Sequence, residues 1–171
     1  MATESPGTAM GSPSTATDSV ELPHAWLSQF DGSNLENKLH VAAVLGTVDD
    51  AGWPHLVYLS AGEVLTHSTH RLSFALWPTS RSTANLRRVG HAVLHAVADG
   101  AVWEARLVAQ SRADANDLVV FDAEVIGVHR HAAPYAEVTG LIGFRLNDPV
   151  SALDRWRRQI ERMRELRRIT P

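Results

Sequence analysis

Between residues 39 and 128 the chain alternates apolar runs of strand length with short groups of turn residues. Residues 39–48 are a nearly continuous run of small and branched apolar side chains, ending in Asp49-Asp50-Ala51-Gly52, a turn with a glycine placed for positive φ. Residues 53–60 return as a strand with Pro54 at its edge. Alternation puts His55, Val57 and Leu59 on one face and Leu56, Tyr58 and Ser60 on the other. Ala61-Gly62 breaks the pattern, 63–66 reads as a brief further strand, 67–70 as a polar hairpin tip and 72–77 as the next strand.

Pro78-Thr79 ends that run, and a short helix is expected over 81–88. Arg87 and Arg88 suit its C-terminus, and Gly90 stands at its C′ position. Residues 91–97 and 101–110 then form two strands joined by Ala98-Asp99-Gly100, an Asp-Gly hairpin signal. Val102, Glu104 and Arg106 share one face of the second strand, opposite Trp103, Ala105 and Leu107. Residues 111–116 are polar and read as a loop, and 118–128 as a long strand. Connections this short exclude parallel crossovers, so the pattern predicts a mainly β, α+β protein built on a small antiparallel barrel.

The two ends differ from this middle. Residues 1–18 are mostly Ala, Ser, Thr, Gly and Pro, too poor in large apolar groups to offset the entropy of ordering them. Leu22, Trp26, Leu27 and Phe30 fall near helical spacing, with Pro23 in a first turn. Residues 129–146 are irregular, with Pro134, Gly140 and Gly143 interrupting a strand expected at 141–146. A C-terminal amphipathic helix follows over 149–168, with Asp148 as N-cap and Pro149 as first residue. Its stripe of Leu153, Trp156, Ile160, Met163 and Leu166 reads as a packing face, and its arginines as the solvated side. The organisation expected is a disordered tail over 1–19 and a single domain over 20–171.

Composition narrows the function classes. A chain of 171 residues with 44% hydrophobic content supports one sizeable core. Its net charge of -3, in mixed signs, calls for neither nucleic acid nor a membrane surface. Cysteine is absent, which removes disulfides, thiolate metal sites and cysteine nucleophiles. With no membrane-length apolar run and no basic start followed by an apolar segment, a cytoplasmic protein is expected. No GxGxxG, Walker or GxSxG pattern is present, so hydrolysis and nucleoside-triphosphate chemistry are poor matches.

Candidate chemistry concentrates in Ser80-Arg81-Ser82-Thr83-Ala84-Asn85-Leu86-Arg87-Arg88, where hydroxyl, amide and guanidinium groups gather at a helix start, as a bound phosphate requires. The same residues equally suit an ordinary capped surface helix. His91 and His95, His129 and His131, and His67 and His70 have spacings that can grip a metal, but nine histidines generate such pairs readily and no metal site is expected.

The order of these pieces resembles the pyridoxamine 5′-phosphate oxidase-like family of FMN-binding split barrels. The likeness rests on 39–48, the Asp-Asp-x-Gly turn, Trp53-Pro54-His55-Leu56-Val57-Tyr58-Leu59-Ser60, the strand 72–77, the 80–88 stretch and the strand after Gly90. It covers roughly 39–110, and more loosely the chain to about 146. The resemblance implies a six-stranded antiparallel split β-barrel with a short helix inserted after the third or fourth strand. It also implies a homodimer with FMN at the subunit interface, and a flavin-dependent oxidoreductase acting between a reduced nicotinamide or small organic substrate and FMN. The alternative is a non-catalytic module for flavin, deazaflavin or haem. By resemblance Ser80 and Arg81 form the phosphate pair, with Thr83 and Asn85 in support, and the strand of His55, Leu56, Val57 and Tyr58 lies against the ring. Trp77 and Leu76 are further candidates for the wall. His55 stands where many members carry an arginine, and Ser82 where the better-known oxidases have a lysine, so this chain has less positive charge there. Tyr58, Arg106 and Tyr135 are the candidate catalytic side chains, with His55 able to orient a substrate or reduced flavin.

Overall fold

The computed structural model describes residues 19–115, 117–133, 135–140 and 144–169. Residues 1–18 of the tail expected over 1–19, and the first three residues of the strand expected at 141–146, lie outside them; Ser19 is paired with Val128, and 144–146 are not in a strand. In order, the elements are α1 (His24–Gln29), a 3-10 turn (Leu35–Lys38), β1 (Ala42–Val48), β2 (Pro54–Ser60), β3 (Val64–Ser68), β4 (Arg71–Leu76), α2 (Arg81–Val89), β5 (His91–Ala98), β6 (Ala101–Ala115), β7 (Leu118–His131) and α3 (Pro149–Ile169). The strands form one curled antiparallel sheet in the order β2-β1-β5-β6-β7-β4-β3.

Seven strands are found where the resemblance implied six: the brief strand expected at 63–66 is present as β3, paired with β4 through Val64↔Phe74, Leu65↔Ser73 and Thr66↔Leu72. Val64 and Leu65 are both buried, so the segment lacks the alternation that marks a strand in sequence. The loop expected at 111–116 is strand as far as Ala115: β6 continues against β7 through a register shift between Ser111 and Ala113. Gln110, Ser111 and Arg112 look like loop residues because they are exposed where the irregularity disrupts regular alternation. Pro23 is the N-cap of α1 and not a first-turn residue, and β1 starts at Ala42 because the 3-10 turn over Leu35–Lys38 runs on through Leu39 and is closed by the Val41 N–H bonding the Lys38 carbonyl at 3.0 Å.

Turn chemistry is as the pattern predicts. Gly52 and Gly90 have φ of 85° and 73°, conformations that β-carbon sterics disfavour. Asp99 and Gly100 both have positive φ, as a two-residue hairpin turn requires.

The concave face holds one core, in which Leu45, Leu59, Phe74, Leu94, Leu107 and Phe121 are all buried, and α1 closes one end with Trp26 and Phe30. A second core lies on the outer face, where Trp156, Ile160 and Met163 of α3 pack over Leu65, Ala75 and Val120. This is why β4 is buried from Leu72 to Leu76 without alternation: it is covered on both faces. Asp148 caps α3, its carboxylate accepting from the Ser151 N–H at 3.1 Å and the Ser151 hydroxyl at 2.6 Å. α3 thus uses its apolar stripe for packing, as its spacing predicts.

Candidate functional site: the start of α2 and the bare strand β2

α2 begins after Pro78 with Ser80 as N-cap, in extended conformation with φ -72° and ψ 149°. The Ser80 hydroxyl accepts from the Thr83 N–H at 3.2 Å and donates to Thr83 Oγ1 at 3.0 Å, while the Thr83 hydroxyl donates to the Trp77 carbonyl at 2.8 Å. This rigidifies the turn between β4 and α2. The Arg81 and Ser82 N–H groups lie in the first turn, where a helix offers no internal acceptor. With no acidic residue in that turn, the helix end retains its positive polarity. Arg81 is exposed, and it makes no ion pair with a described residue.

The helix is tied to the first hairpin from within. Asn85, buried on α2, donates from Nδ2 to Thr47 Oγ1 at 3.0 Å, and the Thr47 hydroxyl donates to the His55 carbonyl at 3.4 Å. Arg88 donates to the Val48 carbonyl at 2.6 Å. His55 on β2 and the first turns of α2 are thereby brought to one corner of the sheet. A cavity of about 390 Å³ opens there, lined by Asp49, Asp50, Arg81, Ala84, Asn85 and Arg88. Two carboxylates face two guanidinium groups in it, and one Asp49 oxygen accepts the N–H groups of Ala51 and Trp53.

The proposed anchor residues therefore have different standing. Arg81 is exposed, and the N–H groups of Arg81 and Ser82 have no acceptor within the helix. Thr83 and Asn85 are buried, and their side chains already hold α2 in place. Ser82 is 1% exposed, and its hydroxyl is a buried polar atom without a hydrogen-bond partner among the described residues.

The flat wall is clearer. On β2, His55 and Val57 are half-buried on the inner face while Leu56 and Tyr58 on the outer face are 56% and 51% exposed. Trp77, directly before the α2 turn, is 53% exposed, whereas Leu76 is core. The outer face carries two rows across the sheet. One is Tyr58, Val44, His95, Glu104 and His129; the other is Leu56, Gly46, Val93, Arg106 and Gly127. An apolar groove of about 390 Å³ runs along the second row, with Val48, His91 and Ile126 on its far side and His95 and Glu104 at its border.

Sequence reasoning missed the polar cluster at the end of this groove. Glu104 is half-buried and bonds His95 at 3.2 Å, Arg106 at 3.3 Å and His131 at 3.4 Å. Burial pushes its pKa up, but the bonds from His95, Arg106 and His131 outweigh this and hold the carboxyl below its usual range. The available signal was the shared outward face of His95, Glu104 and Arg106. Among the described residues no group of three His, Cys, Asp or Glu side chains is arranged to hold a metal ion.

The candidate catalytic residues are dispersed. Tyr58 borders a cavity with Ser60, Glu63 and Trp156, whereas Arg106 lines the outer groove. Three strand spacings separate Tyr58 from the Arg106 strand, roughly 14 Å along the sheet. Tyr135 is 89% exposed in the irregular segment after β7.

A curled antiparallel sheet with a capped helix between its fourth and fifth strands, and a C-terminal helix across its back, defines a split barrel. The chain is similar in structure to a Lactobacillus delbrueckii protein named for pyridoxamine 5′-phosphate oxidase, with TM-score 0.51 and 16% identity, covering 66% of this chain and 97% of that one. It is also similar to the styrene monooxygenase flavin reductase of Pseudomonas putida S12, with TM-score 0.48 and 15% identity, covering 67% and 97% of the two chains. No protein-family model matches it. In sequence it is 33% identical over 136 residues to the uncharacterised protein YclD of Bacillus subtilis strain 168, covering 77% of this chain and 88% of YclD. The chain belongs to the same family as YclD, and its fold is that of the pyridoxamine 5′-phosphate oxidase-like split barrels.

Proposed function

We propose that this protein binds FMN, with the phosphate at the first turn of α2 and the flavin ring along β2, and that it acts as a flavin-dependent oxidoreductase. The observation that carries the reading is the corner itself: an acid-free helix start with an unpaired Arg81, tied through Asn85 and Thr47 to a strand whose outer apolar side chains are bare. FMN asks for this combination, a charged anchor at one end and a flat apolar wall at the other. Arg81 with the Arg81 and Ser82 N–H groups is assigned to the phosphate, with His55 as a further donor. The β2 backbone at Leu56, Val57 and Tyr58, with the exposed Trp77 ring, is assigned to the isoalloxazine. Ser80, Thr83 and Asn85 position the anchor without contacting it.

When bound, the flavin supplies hydride or electron transfer between a reduced nicotinamide or other small organic donor and an acceptor. The chain's own work is binding and orientation. Tyr58 presents a hydroxyl at the cavity it shares with Glu63, and Arg106 a guanidinium in the outer groove. Those two groups line different cavities within one chain. The proposal therefore includes a homodimer, in which a second copy covers the bare outer face and completes the site. A second reading, a flavin, deazaflavin or haem binding module without turnover, is favoured by one observation: Asp49 and Asp50 share the cavity of Arg81 and weaken its field.

The visible spectrum of the purified protein, with the released chromophore identified by mass, tests the cofactor. A colourless protein that leaves added FMN fluorescence unquenched overturns the flavin reading. Anaerobic mixing with NADH or NADPH separates enzyme from module: bleaching of the bound flavin supports the enzyme, and no bleaching by either donor supports the module. Arg81→Ala should weaken FMN binding by about 1.5–3 kcal/mol, the worth of a charged hydrogen bond, with thermal unfolding unchanged.

A further inference from the structure

Away from the α2 corner, a second cavity of about 400 Å³ opens between β3, β4, β6, β7 and the last turns of α3. Polar groups dominate its walls. Asp122 is fully engaged there: Ser73 Oγ donates to its Oδ1 at 2.6 Å and Arg112 Nε to its Oδ2 at 2.9 Å. Because the Ser73 proton points to Asp122, the Ser73 oxygen accepts from His67 Nε2–H, 2.7 Å away. The direction of this relay fixes the His67 tautomer. Burial holds His67 neutral, lowering its pKa to about 4, and the charges of Arg167 and Arg164 add to the effect against the opposing pull of Asp122.

With Asp122 answered by Arg112 and His67 uncharged, the remaining charges are Arg71, Arg167 and Glu124. Arg71 and Glu124 are register partners on β4 and β7, yet neither Arg71 nor Arg167 forms an ion pair with a described residue. Two guanidinium forks thus border a half-open cavity with an excess of positive charge. Planar forks of this kind match carboxylate and phosphate oxygens two at a time.

We propose that this cavity is a binding site for a small organic anion bearing a carboxylate or phosphate, gripped by Arg71 and Arg167 with Arg112 held beside them by Asp122. The site is independent of the FMN reading, since none of its residues belongs to the α2 corner. His67 is its built-in reporter, because an anion beside Arg167 reduces the charge acting on the ring.

The test follows the His67 ring resonances of the full chain by NMR in low-salt buffer during titration with inorganic phosphate and, separately, with succinate. The expected result is a saturable shift of His67 with at least one probe, the tighter probe identifying phosphate or carboxylate as the ligand chemistry. Arg167→Ala and Arg71→Ala should each weaken that binding about tenfold or more. Arg158→Ala, which removes an exposed arginine elsewhere on α3, should leave it unchanged. No saturable shift with either probe, or a shift that survives both cavity substitutions, overturns the proposal. Arg167 lies exposed on the last turn of α3, so its variant remains informative even if Arg71→Ala disturbs the β4–β7 pairing.

Discussion

On its outer face the sheet has two halves of like composition and unlike fate. Over β3, β4 and β7 the apolar side chains are covered by α3, and Trp156, Ile160 and Met163 are at most 2% exposed. Across β2, β1 and β5 into β6 and β7, Leu56, Tyr58, Val48 and Ile126 remain 45–56% exposed. The covered half is fitted closely. A Cβ on Gly62 would lie 2.0 Å from the Trp156 ring, so the indole rests directly against the backbone there. The bare half has an apolar groove bordered by a polar cluster around Glu104, the composition of a surface awaiting a ligand or a second chain. Burial in this fold is therefore supplied by the chain's own helix on one side and left open on the other.

Substitutions can break or sharpen the contrast. The largest effect is expected in the covered half: Trp156→Ala empties a fully enclosed site and should cost about 3–5 kcal/mol of stability, read as a large fall in denaturant midpoint. An equal midpoint for variant and wild type would show that α3 is not part of the cooperative core. In the bare half, Leu56→Arg should leave the unfolding midpoint within about 0.5 kcal/mol at protein concentrations where only monomer is present. The same change should shift the mass measured by light scattering from dimer to monomer at higher concentration. A wild-type protein monomeric throughout sinks the partner-covered reading of this face.

A pH-dependent effect concerns His67, beside the last turns of α3. Its folded pKa of about 4 lies below the ordinary value of 6.5, so between those two pH values the unfolded chain binds the extra proton and the native one does not. Stability therefore falls as pH drops through this window and is restored as pH rises above it. Asp31, Glu104 and Asp148, whose pKa values are lowered, lose their contributions only in more acidic solution, below their ordinary values of 3.8 to 4.5. His67→Gln should flatten the stability profile between about pH 5 and 6.5; an unchanged slope assigns it to other histidines.

Much of this was legible in the chain because local chemistry dictated it. Ser80 and Gly90 bracket α2 as capping rules require, Asp148-Pro149 starts α3, and Asp99-Gly100 turns the β5–β6 hairpin. Alternation also placed Leu56 and Tyr58 together on the outer face. The loop expected at 111–116 failed because the end of β6 passes through an irregularity with polar side chains, whereas the brief strand expected at 63–66 is present as β3. Of the candidate site, the exposure of Arg81 fits an anchor at a helix start. Residue type alone could not distinguish Asn85, a clamp between α2 and β1, from a ligand-binding amide.

By itself the sequence determined the strands from β1 to β5, the starts of β6, β7 and α3, and the packing stripe of α3, because propensity, capping and periodicity act over a few residues. Tertiary structure alone decided which polar groups are available. Thr83 and Asn85 are occupied by partners six and 38 positions away, His67 is neutral under arginines nearly 100 residues later in the chain, and Glu104 collects two histidines and an arginine from three strands. Those contacts join distant segments, and only closure of the sheet and docking of α3 bring them together.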